Sequence, residues 1–336
     1  MPVGLREVAA RAGVSVRTVS NVANGFAHVA PDTRRRVQEA IDDLGYRPNS
    51  AARQLRRGRT ETVSLVVPEI ASPYFAQLAS LVVRIAEDRG WTVHIDQTDG
   101  QGDRERQMIG GPLGQSVDGV ICSPWVVGPA ELARLGAGRP LVLLGERGAT
   151  GTLDHVAVDN VAAAAEATEH LLACGRTRIA AIGGQPHLDN GTAGQRLEGY
   201  RHALRRAGLP GDDRLVMDVD RLHRPDGAAA MSELLDRGTG SAPVDAVFCF
   251  TDELALGAAR TVHERGLRVP DDVALVGFDD IEDGRYSTPS LTTVAPDKEQ
   301  IARWALDCLA RRIEDPTRPG EDLVAAHALV VRESSS

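Results

Sequence analysis

Three residues near the amino terminus have side chains and a spacing suited to reading DNA bases. Val16, Arg17 and Asn21 fall on the outward face of a short predicted helix, close to the end from which major-groove contacts are made. Arg17 can donate two hydrogen bonds to a guanine edge, whereas Val16 offers only an apolar contact such as one to a thymine methyl. The pattern predicts sequence-specific binding to DNA, with Asn21 as a further base contact.

Two short helices must position these side chains. Gly13 ends the first helix and Ser15 can cap the second, so the two helices cross with little chain between them. The residues expected to face inward are Leu5, Val8, Ala9 and Ala12 in the first helix, and Val19, Val22 and Ala23 in the second. Helical pairs with a glycine turn also occur in proteins that do not bind DNA, and this pattern alone leaves that alternative open.

A third helix completes a small helical core. It is predicted to begin at Pro31 and to bury Val37, Ile41 and Leu44. Ala30 before it, and Gly4 before the first helix, offer no side-chain cap. Polar side chains around these helices are candidates for phosphate contacts, which position a protein on DNA without reading its sequence. These candidates are Ser15, Thr18, Ser20, Asn24 and Thr33.

A short basic segment follows the three helices. Gly45 and Pro48 end the preceding helix, Asn49 can cap a new one, and Gly58 ends it. A helix of this length is not stable alone in water.

The order of these motifs resembles the lactose-repressor and galactose-repressor family of bacterial transcription regulators, and the resemblance covers essentially the whole chain. It implies that residues 49–58 form a hinge helix that folds on DNA, where Leu55 wedges into the minor groove and kinks the duplex. Ordinary helix packing is the alternative for Leu55. The implied minor-groove residues are Asn49, Ala52, Arg53, Leu55 and Arg56. Asn21 departs from the family, in which an arginine is common.

Charge is unevenly distributed along the chain. Of 336 residues, 42% are hydrophobic and 25% charged, which suits two or three domains with a large core. Residues 1–58 hold ten Arg and five acidic residues, a net charge of +5, so the rest must carry −14 to reach the total of −9. A basic head on an acidic body is typical of a DNA-binding protein.

The cysteines indicate a reducing compartment. Cys122, Cys174, Cys249 and Cys308 show no CxxC spacing, and each lies in or beside an apolar segment, so we expect buried free thiols rather than zinc ligands or disulfides. No signal-peptide pattern opens the chain and no apolar run is long enough to span a membrane. We therefore expect a cytoplasmic protein. No metal-ligand pairing or cofactor motif stands out.

The body of the chain alternates strand-like and helix-like runs twice, which predicts two similar lobes with parallel sheets flanked by helices. It is similar to the type I periplasmic sugar-binding fold. The expected domains are a helix-turn-helix headpiece at 1–48, the hinge at 49–58 and an effector-binding body at 59–332. Lobe 1 is expected to span about 60–159 and 292–320, and lobe 2 about 160–290 and 321–332.

Six residues after predicted strands are candidates for contacting an effector. Ligands of open α/β sheets bind beyond the carboxyl ends of the strands, which places the site between the lobes. The resemblance implies that Arg196 grips the ligand and that Asp279 faces it, a combination suited to vicinal hydroxyls. Glu146 stands where the family often has aspartate, and Thr251 where asparagine is usual. Tyr74 and Phe75 follow the first strand of lobe 1. We expect them either to stack on a sugar ring or a base, or to pack within the lobe.

These observations predict a homodimeric transcription regulator that binds a pseudo-palindromic operator and responds to a small molecule. The favoured interpretation is a repressor, and the resemblance favours a sugar as the small molecule. Without a leucine heptad tail, a dimer is favoured over a tetramer built on a coiled coil. A secreted sugar-binding protein would share the lobes but would need a signal peptide in place of the DNA-binding head. An α/β enzyme would need a nucleophile, metal or nucleotide motif, and none stands out.

Overall fold

The computed structural model describes residues 3–23, 26, 28–46, 59–146, 151–186, 191–209, 211–237 and 243–336. Residues 1–60 and residues 61–336 form two units. Six of the residues expected to contact DNA lie outside the described residues, namely Asn24, Asn49, Ala52, Arg53, Leu55 and Arg56.

The first unit contains a three-helix head: α1 (Leu5–Ala12), α2 (Val16–Ala23) and α3 (Pro31–Leu44). Gly13 ends α1 with a φ of 66°, a left-handed conformation that glycine adopts without strain. The buried core residues come from all three helices: Val8, Ala9, Ala12, Val19, Val22, Val37 and Ala40. The apolar spacing predicts all of these except Ala40, whereas Leu5 and Ala23, which were also expected to face inward, are half-buried. Ile41 and Leu44 are only partly buried against this core.

The helix caps behave as the sequence predicts. The Ser15 hydroxyl accepts a hydrogen bond from the backbone N–H of Thr18 at 3.1 Å, which caps α2. Neither Gly4 nor Ala30 supplies a side-chain cap. At the start of α1 the backbone N–H of Gly4 instead donates to the Glu7 carboxylate at 2.9 Å, so part of the missing capping is replaced from within the helix.

The second unit contains two six-stranded sheets, one in each lobe. The first sheet is wholly parallel, in the order β11-β5-β4-β3-β1-β2. Its strands are β1 (Thr62–Val67), β2 (Thr92–Gln97), β3 (Gly119–Cys122), β4 (Leu141–Leu144), β5 (Asp154–Val158) and β11 (Asp322–Ala325). The helices of this lobe are α4 (Pro73–Glu87), α5 (Gly102–Gly110), α6 (Pro112–Gln115), α7 (Pro129–Gly136) and α13 (Lys298–Glu314).

The second lobe repeats this plan. Its sheet has the order β12-β10-β9-β8-β6-β7, and all pairs are parallel except β10 with β12. Its strands are β6 (Ile179–Gly184), β7 (Val216–Asp218), β8 (Ala246–Cys249), β9 (Ala274–Phe278), β10 (Thr292–Pro296) and β12 (His327–Val330). The helices are α8 (Asn160–Ala173), α9 (Gly191–Arg206), α10 (Arg224–Arg237), α11 (Asp252–Glu264) and α12 (Glu282–Tyr286), with a 3₁₀ turn at Asp213–Leu215.

The crossings between the lobes correct two of the expected boundaries. The chain does cross after β5, as expected, but β10 pairs with β9 in the second sheet, so the next crossing follows Pro296 instead of preceding Thr292. Likewise β11 pairs with β5 in the first sheet, and the last crossing therefore lies near Ala326 instead of at residues 319–323. A short apolar strand fits either sheet by its pattern, and only its hydrogen-bonded neighbour decides which sheet it joins.

Helix α13 returns to the first lobe, where it packs on the sheet through buried apolar residues. A buried ion cluster holds the chain that follows it. Asp154, at the start of β5, accepts hydrogen bonds from Arg312 Nε at 3.0 Å and from a terminal nitrogen of Arg318 at 2.7 Å. The Asp154 side chain is wholly buried. The buried carboxylate is thus paired, as a charge in a protein interior must be.

Three cysteines, Cys122, Cys249 and Cys308, are buried free thiols, as expected. Cys174 is exposed, which corrects the expectation for that residue. It lies at the carboxyl end of α8, where Leu171 is buried, Leu172 is half-buried and the last residue, Ala173, is exposed. Within the described ranges, no helix is both long and apolar enough to cross a membrane.

Candidate DNA-reading helix and effector cavity

The predicted base-reading residues lie on α2 with different exposure. Val16 and Arg17 are exposed, with 41% of the valine accessible, and Asn21 is half-buried. The hydroxyls of Ser15 and Thr18 lie 2.8 Å apart in the capping turn, whereas Ser20 and Thr33 are half-buried. An apolar side chain this exposed at the start of a helix, beside an exposed arginine, is free to enter a groove.

A cavity of about 420 Å³ lies between the two lobes of the second unit. Its walls are the segments that follow the carboxyl ends of strands in both sheets, where open α/β sheets bind ligands. Its volume lies within the range of about 300–1,000 Å³ usual for small-molecule sites. All six effector candidates line it: Tyr74, Phe75, Glu146, Arg196, Thr251 and Asp279.

Arg196 is held rigidly in this cavity. It lies on α9 and is only 7% exposed. Its Nε donates to Oδ1 of Asn160 at 2.7 Å, and a terminal nitrogen donates to the carbonyl of Phe250. The guanidinium carbon lies 3.4 Å from the centre of the Phe278 ring, a cation–π contact. Burial lowers the pKa of Arg196, and the nearby carboxylate of Asp279 opposes that effect.

Asp279 follows β9 in an unusual backbone conformation. Its φ is 111°, a region that favours glycine, and its N–H donates to the carbonyl of Val294 at 2.8 Å. Burial raises the pKa of Asp279 to about 7, although Arg196 and Lys298 oppose the rise. Near neutral pH the carboxyl group is therefore divided between a form that only accepts hydrogen bonds and one that also donates.

Glu146 connects the two lobes. It follows β4 of the first lobe, and its carboxylate accepts hydrogen bonds from the Asn160 amide and the Thr192 hydroxyl of the second lobe. Asn160 thus contacts both Glu146 and Arg196 across the point where the chain crosses. A ligand that displaces either contact alters a connection between the lobes.

The remaining three candidates have structural contacts as well. Tyr74 and Phe75, in the first turn of α4, meet edge to face with ring centres 5.2 Å apart, and burial raises the pKa of the Tyr74 hydroxyl. Thr251 caps α11 by accepting a hydrogen bond from the N–H of Leu254 at 3.2 Å. The cap explains why a small hydroxyl residue suits position 251.

Asn160 and several further residues also line the cavity, although they were not among the predicted site residues. From the first lobe these include Asp99, Gln101, Ser123 and Trp125, and from the second Gln185, Thr192, Asp220 and His223. A signal was available, since each follows or lies near the carboxyl end of a strand. Besides the Glu146 contacts, the lobes meet at His223, whose Nε2 lies 3.1 Å from a carboxylate oxygen of Glu69.

Two more residues support the turn that carries Asp279. Lys298, at the start of α13, donates to the carbonyls of Asp279 and Asp280, the latter at 3.2 Å. Asp252 is fully buried and accepts hydrogen bonds from the Thr293 hydroxyl at 2.6 Å and the N–H of Ile281 at 2.9 Å. Burial, together with the charge of Asp279, raises the pKa of Asp252 well above its usual range. The turn at Asp279 is thus held by Lys298 through the carbonyls of Asp279 and Asp280, and by Asp252 through the N–H of Ile281.

Among the residues that the structure describes, no group of three or more His, Cys, Asp and Glu side chains is arranged to hold a metal ion. The chemistry of the cavity is that of buried hydrogen-bonding groups and aromatic rings, arranged to bind a polar molecule.

Two family models match the chain. Residues 4–49 match bacterial regulatory proteins of the lacI family, and residues 168–335 match the periplasmic binding protein-like domain. The first match covers the three-helix head, and the second covers most of the second lobe together with the strands that return to both sheets.

Relatives and solved structures match over nearly the whole chain. The HTH-type transcriptional regulator CelR of Thermobifida fusca is 38% identical over 98% of this chain and 97% of its own. Catabolite control protein A of Priestia megaterium is 32% identical, with all of both chains covered. A solved CelR–cellobiose complex matches with a TM-score of 0.73 at 37% identity, covering 99% of each chain. The lac repressor dimer bound to operator and the anti-inducer ONPF matches with a TM-score of 0.85 at 26% identity, covering 100% of this chain and 99% of its own.

The chain therefore belongs to the lacI family of bacterial regulatory proteins. Members of this family are transcriptional regulators and not enzymes, and the architecture is a helix-turn-helix head joined to a periplasmic-binding-protein-like body.

Proposed function

We propose that this protein is a homodimeric transcriptional repressor that binds a pseudo-palindromic operator and is released by a sugar bound between its lobes. The observation that carries the proposal is the convergence of all six candidate residues on one cavity, in a chain that also has a DNA-binding head. We further propose that the protein acts in the cytoplasm, because operator DNA is its proposed partner.

In this proposal α2 reads the operator. Arg17 pairs with a guanine, Val16 contacts a thymine methyl and Asn21 supplies a further base contact. The phosphate contacts come from Ser15, Thr18, Ser20, Asn24 and Thr33. The proposed minor-groove contacts come from the hinge, with Leu55 as the wedge: Asn49, Ala52, Arg53, Leu55 and Arg56. The exposure of Val16 and Arg17 supports the assignment for α2.

The cavity supports a polyhydroxylated effector. Arg196 presents donors and Asp279 presents acceptors, the combination that vicinal hydroxyl groups require. Tyr74 and Phe75 add an aromatic surface for the apolar face of a sugar ring. Because CelR, a relative solved with cellobiose, is 37% identical over nearly the whole chain, we propose a β-glucoside such as cellobiose as the first candidate.

The proposed switch acts through the contacts between lobes. Glu146 accepts hydrogen bonds from Asn160 and Thr192, so a ligand that competes for these groups changes the free-energy difference between two lobe arrangements. If one arrangement favours operator binding, operator must change sugar affinity by the same factor as sugar changes operator affinity.

A mobility shift with the purified protein and its own upstream DNA tests the proposal. Mono- and disaccharides are added one at a time, and we expect a specific complex that one of them releases. If the protein binds the DNA only when a compound is added, that compound is a corepressor and not an inducer. No specific complex under any condition would refute the proposed function.

A further inference from the structure

The effector cavity extends across four neighbouring strands of the first lobe. Glu146 follows β4 and Asp99 follows β2, with β3 and β1 between them in the sheet. Three strand spacings separate these ends, a span of about 14 Å. This wall is longer than one pyranose ring and suits two joined rings. We call the part near Glu146 and Arg196 the inner end, and the part near Asp99 the outer end.

The outer end is closed by the second lobe as well. Asp220 and His223 follow β7, which is the edge strand on that side of the second sheet, and both line the cavity. The 3.1 Å contact between His223 and Glu69 brings this edge against the segment after β1. The outer end is thus enclosed by both lobes, as a binding subsite requires.

Trp125 lines the outer end and sits on a loop held by a buried carboxylate. Glu105, on α5, is fully buried. Its Oε1 accepts from the N–H groups of Trp125 at 2.7 Å and Val126 at 3.2 Å, and its Oε2 accepts from Val126 at 3.1 Å and Val127 at 2.8 Å. A carboxylate is a strong acceptor of backbone hydrogen bonds, so the loop is fixed against the lobe.

The indole of Trp125 is held at a second point. It packs on Gly100, where an added Cβ would come within 3.0 Å of the ring carbon Cε3, and Gly100 also has a φ of 64° that favours glycine. A larger residue at position 100 would displace the ring. Two independent features, the Glu105 carboxylate and the bare Gly100 backbone, therefore preorganise one half-buried tryptophan at the cavity wall.

Polar side chains flank this tryptophan. Asp99 has a φ of 53° and accepts hydrogen bonds from Gln97 and Arg104, which orient its carboxylate. Gln101 is exposed and lines the same part of the cavity. An aromatic ring beside an oriented acceptor and an amide offers an apolar surface for the C–H face of a sugar and partners for its hydroxyls.

We propose that Trp125, with Asp99 and Gln101, forms a second sugar-ring subsite at the outer end, so that the effector contains at least two linked rings. The inference rests on the proposed sugar response. It adds the residues that hold the second ring, and it derives the two-ring size from the cavity wall and not from a relative. Glu105 is a positioning residue, because it acts on the ligand only through the loop that carries Trp125.

Calorimetry on the full-length protein tests the subsite with matched sugars: glucose with cellobiose and maltose, galactose with lactose, and xylose with xylobiose. We expect one disaccharide to bind at least about tenfold more tightly than its monosaccharide, the scale of one buried aromatic contact. Trp125→Ala should remove this preference while changing monosaccharide affinity by less than about threefold. Trp125→Phe, which keeps an aromatic ring, is the matched control and should retain most of the preference.

Glu105→Gln tests the positioning role, since it keeps the side-chain volume but weakens the four backbone contacts. We expect a smaller disaccharide preference with unchanged monosaccharide affinity, a split that general destabilisation would not produce. Equal affinity for a monosaccharide and its disaccharide in the wild-type protein, or a preference unchanged by Trp125→Ala, would overturn the subsite. If no sugar binds the protein or releases it from operator, both the sugar effector and the subsite are refuted. If a monosaccharide releases operator as effectively as its disaccharide, only the subsite is refuted.

Discussion

The Nε of Arg196 donates a hydrogen bond to Oδ1 of Asn160 at 2.7 Å, which ties an arginine that lines the cavity to the residue where the chain crosses between the lobes. Because Asn160 also donates to Glu146 of the first lobe, the position of the guanidinium depends on how the lobes are arranged. We therefore expect effector binding at Arg196 to be coupled to the arrangement of the lobes through this one buried amide.

Asn160→Ala should uncouple effector binding from operator release. The change leaves the Arg196 Nε without its acceptor, a loss of about 1–3 kcal/mol for a buried group, and removes one contact of Glu146. We expect weaker sugar binding by calorimetry and incomplete operator release in the mobility shift even when the protein is saturated with sugar, with operator affinity in the absence of sugar retained. Normal release by sugar in this variant would contradict the coupling.

Arg17→Ala should lower operator selectivity. Loss of a bidentate contact to guanine costs about 1–3 kcal/mol at one base pair and relaxes the preference at that position. Arg35→Ala is the matched control, because it removes the same charge from the exposed side of α3, where Arg35 pairs with Asp32 and Glu39. Competition between operator and mutated operators measures the effect. Equal loss of selectivity in both variants would show that charge alone accounts for it.

Effector affinity should depend on pH through Asp279. Since burial raises the pKa of Asp279 to about 7 and a sugar hydroxyl is best accepted by the ionised carboxylate, protons compete with the sugar below that value. We expect affinity to fall about tenfold from pH 8 to pH 6. Asp279→Asn should bind more weakly and show a flatter profile. The same slope in that variant would assign the titration to another group.

The same raised pKa has the opposite consequence for folding of the sugar-free protein. An aspartate with a folded pKa above its unfolded value binds more protons when folded, so its contribution to stability is fully present below the unfolded pKa near 3.8 and is lost as the pH rises through about 7. Asp279→Asn should therefore gain stability relative to wild type as the pH increases over this window. Parallel profiles of thermal unfolding against pH for the two proteins would refute this.

Asp154→Ala should strongly destabilise the second unit. It leaves the buried guanidinium of Arg312 without its carboxylate, and breaking a buried pair in this way costs about 3–5 kcal/mol. Asp213→Ala is the control, because Asp213 pairs with Arg201 at 2.6 Å but is 85% exposed, and surface pairs contribute about 0–1 kcal/mol. Denaturant unfolding compares the two, and similar midpoints would show that the buried cluster contributes little.

Much of the head could be predicted from local sequence signals, and the inner cavity from the family resemblance. Gly13, Ser15 and Pro31 act within one turn of the chain, so their effects on the helices need no distant partner. The candidates Arg196 and Asp279 came from the family resemblance, and their convergence follows from a general property of parallel sheets, whose carboxyl ends lie along one edge.

Only the tertiary structure decided which residues meet across the chain. The membership of β10 and β11 in opposite sheets depends on hydrogen-bonded neighbours that no periodicity specifies. The exposure of Cys174 depends on what covers the end of α8. The position of Trp125 depends on the Glu105 carboxylate twenty residues earlier, and a buried glutamate in an otherwise polar helix has no distinguishing sequence pattern. Local conformation was thus set by neighbouring residues, whereas burial, pairing and charge were set by contacts between segments far apart in the sequence.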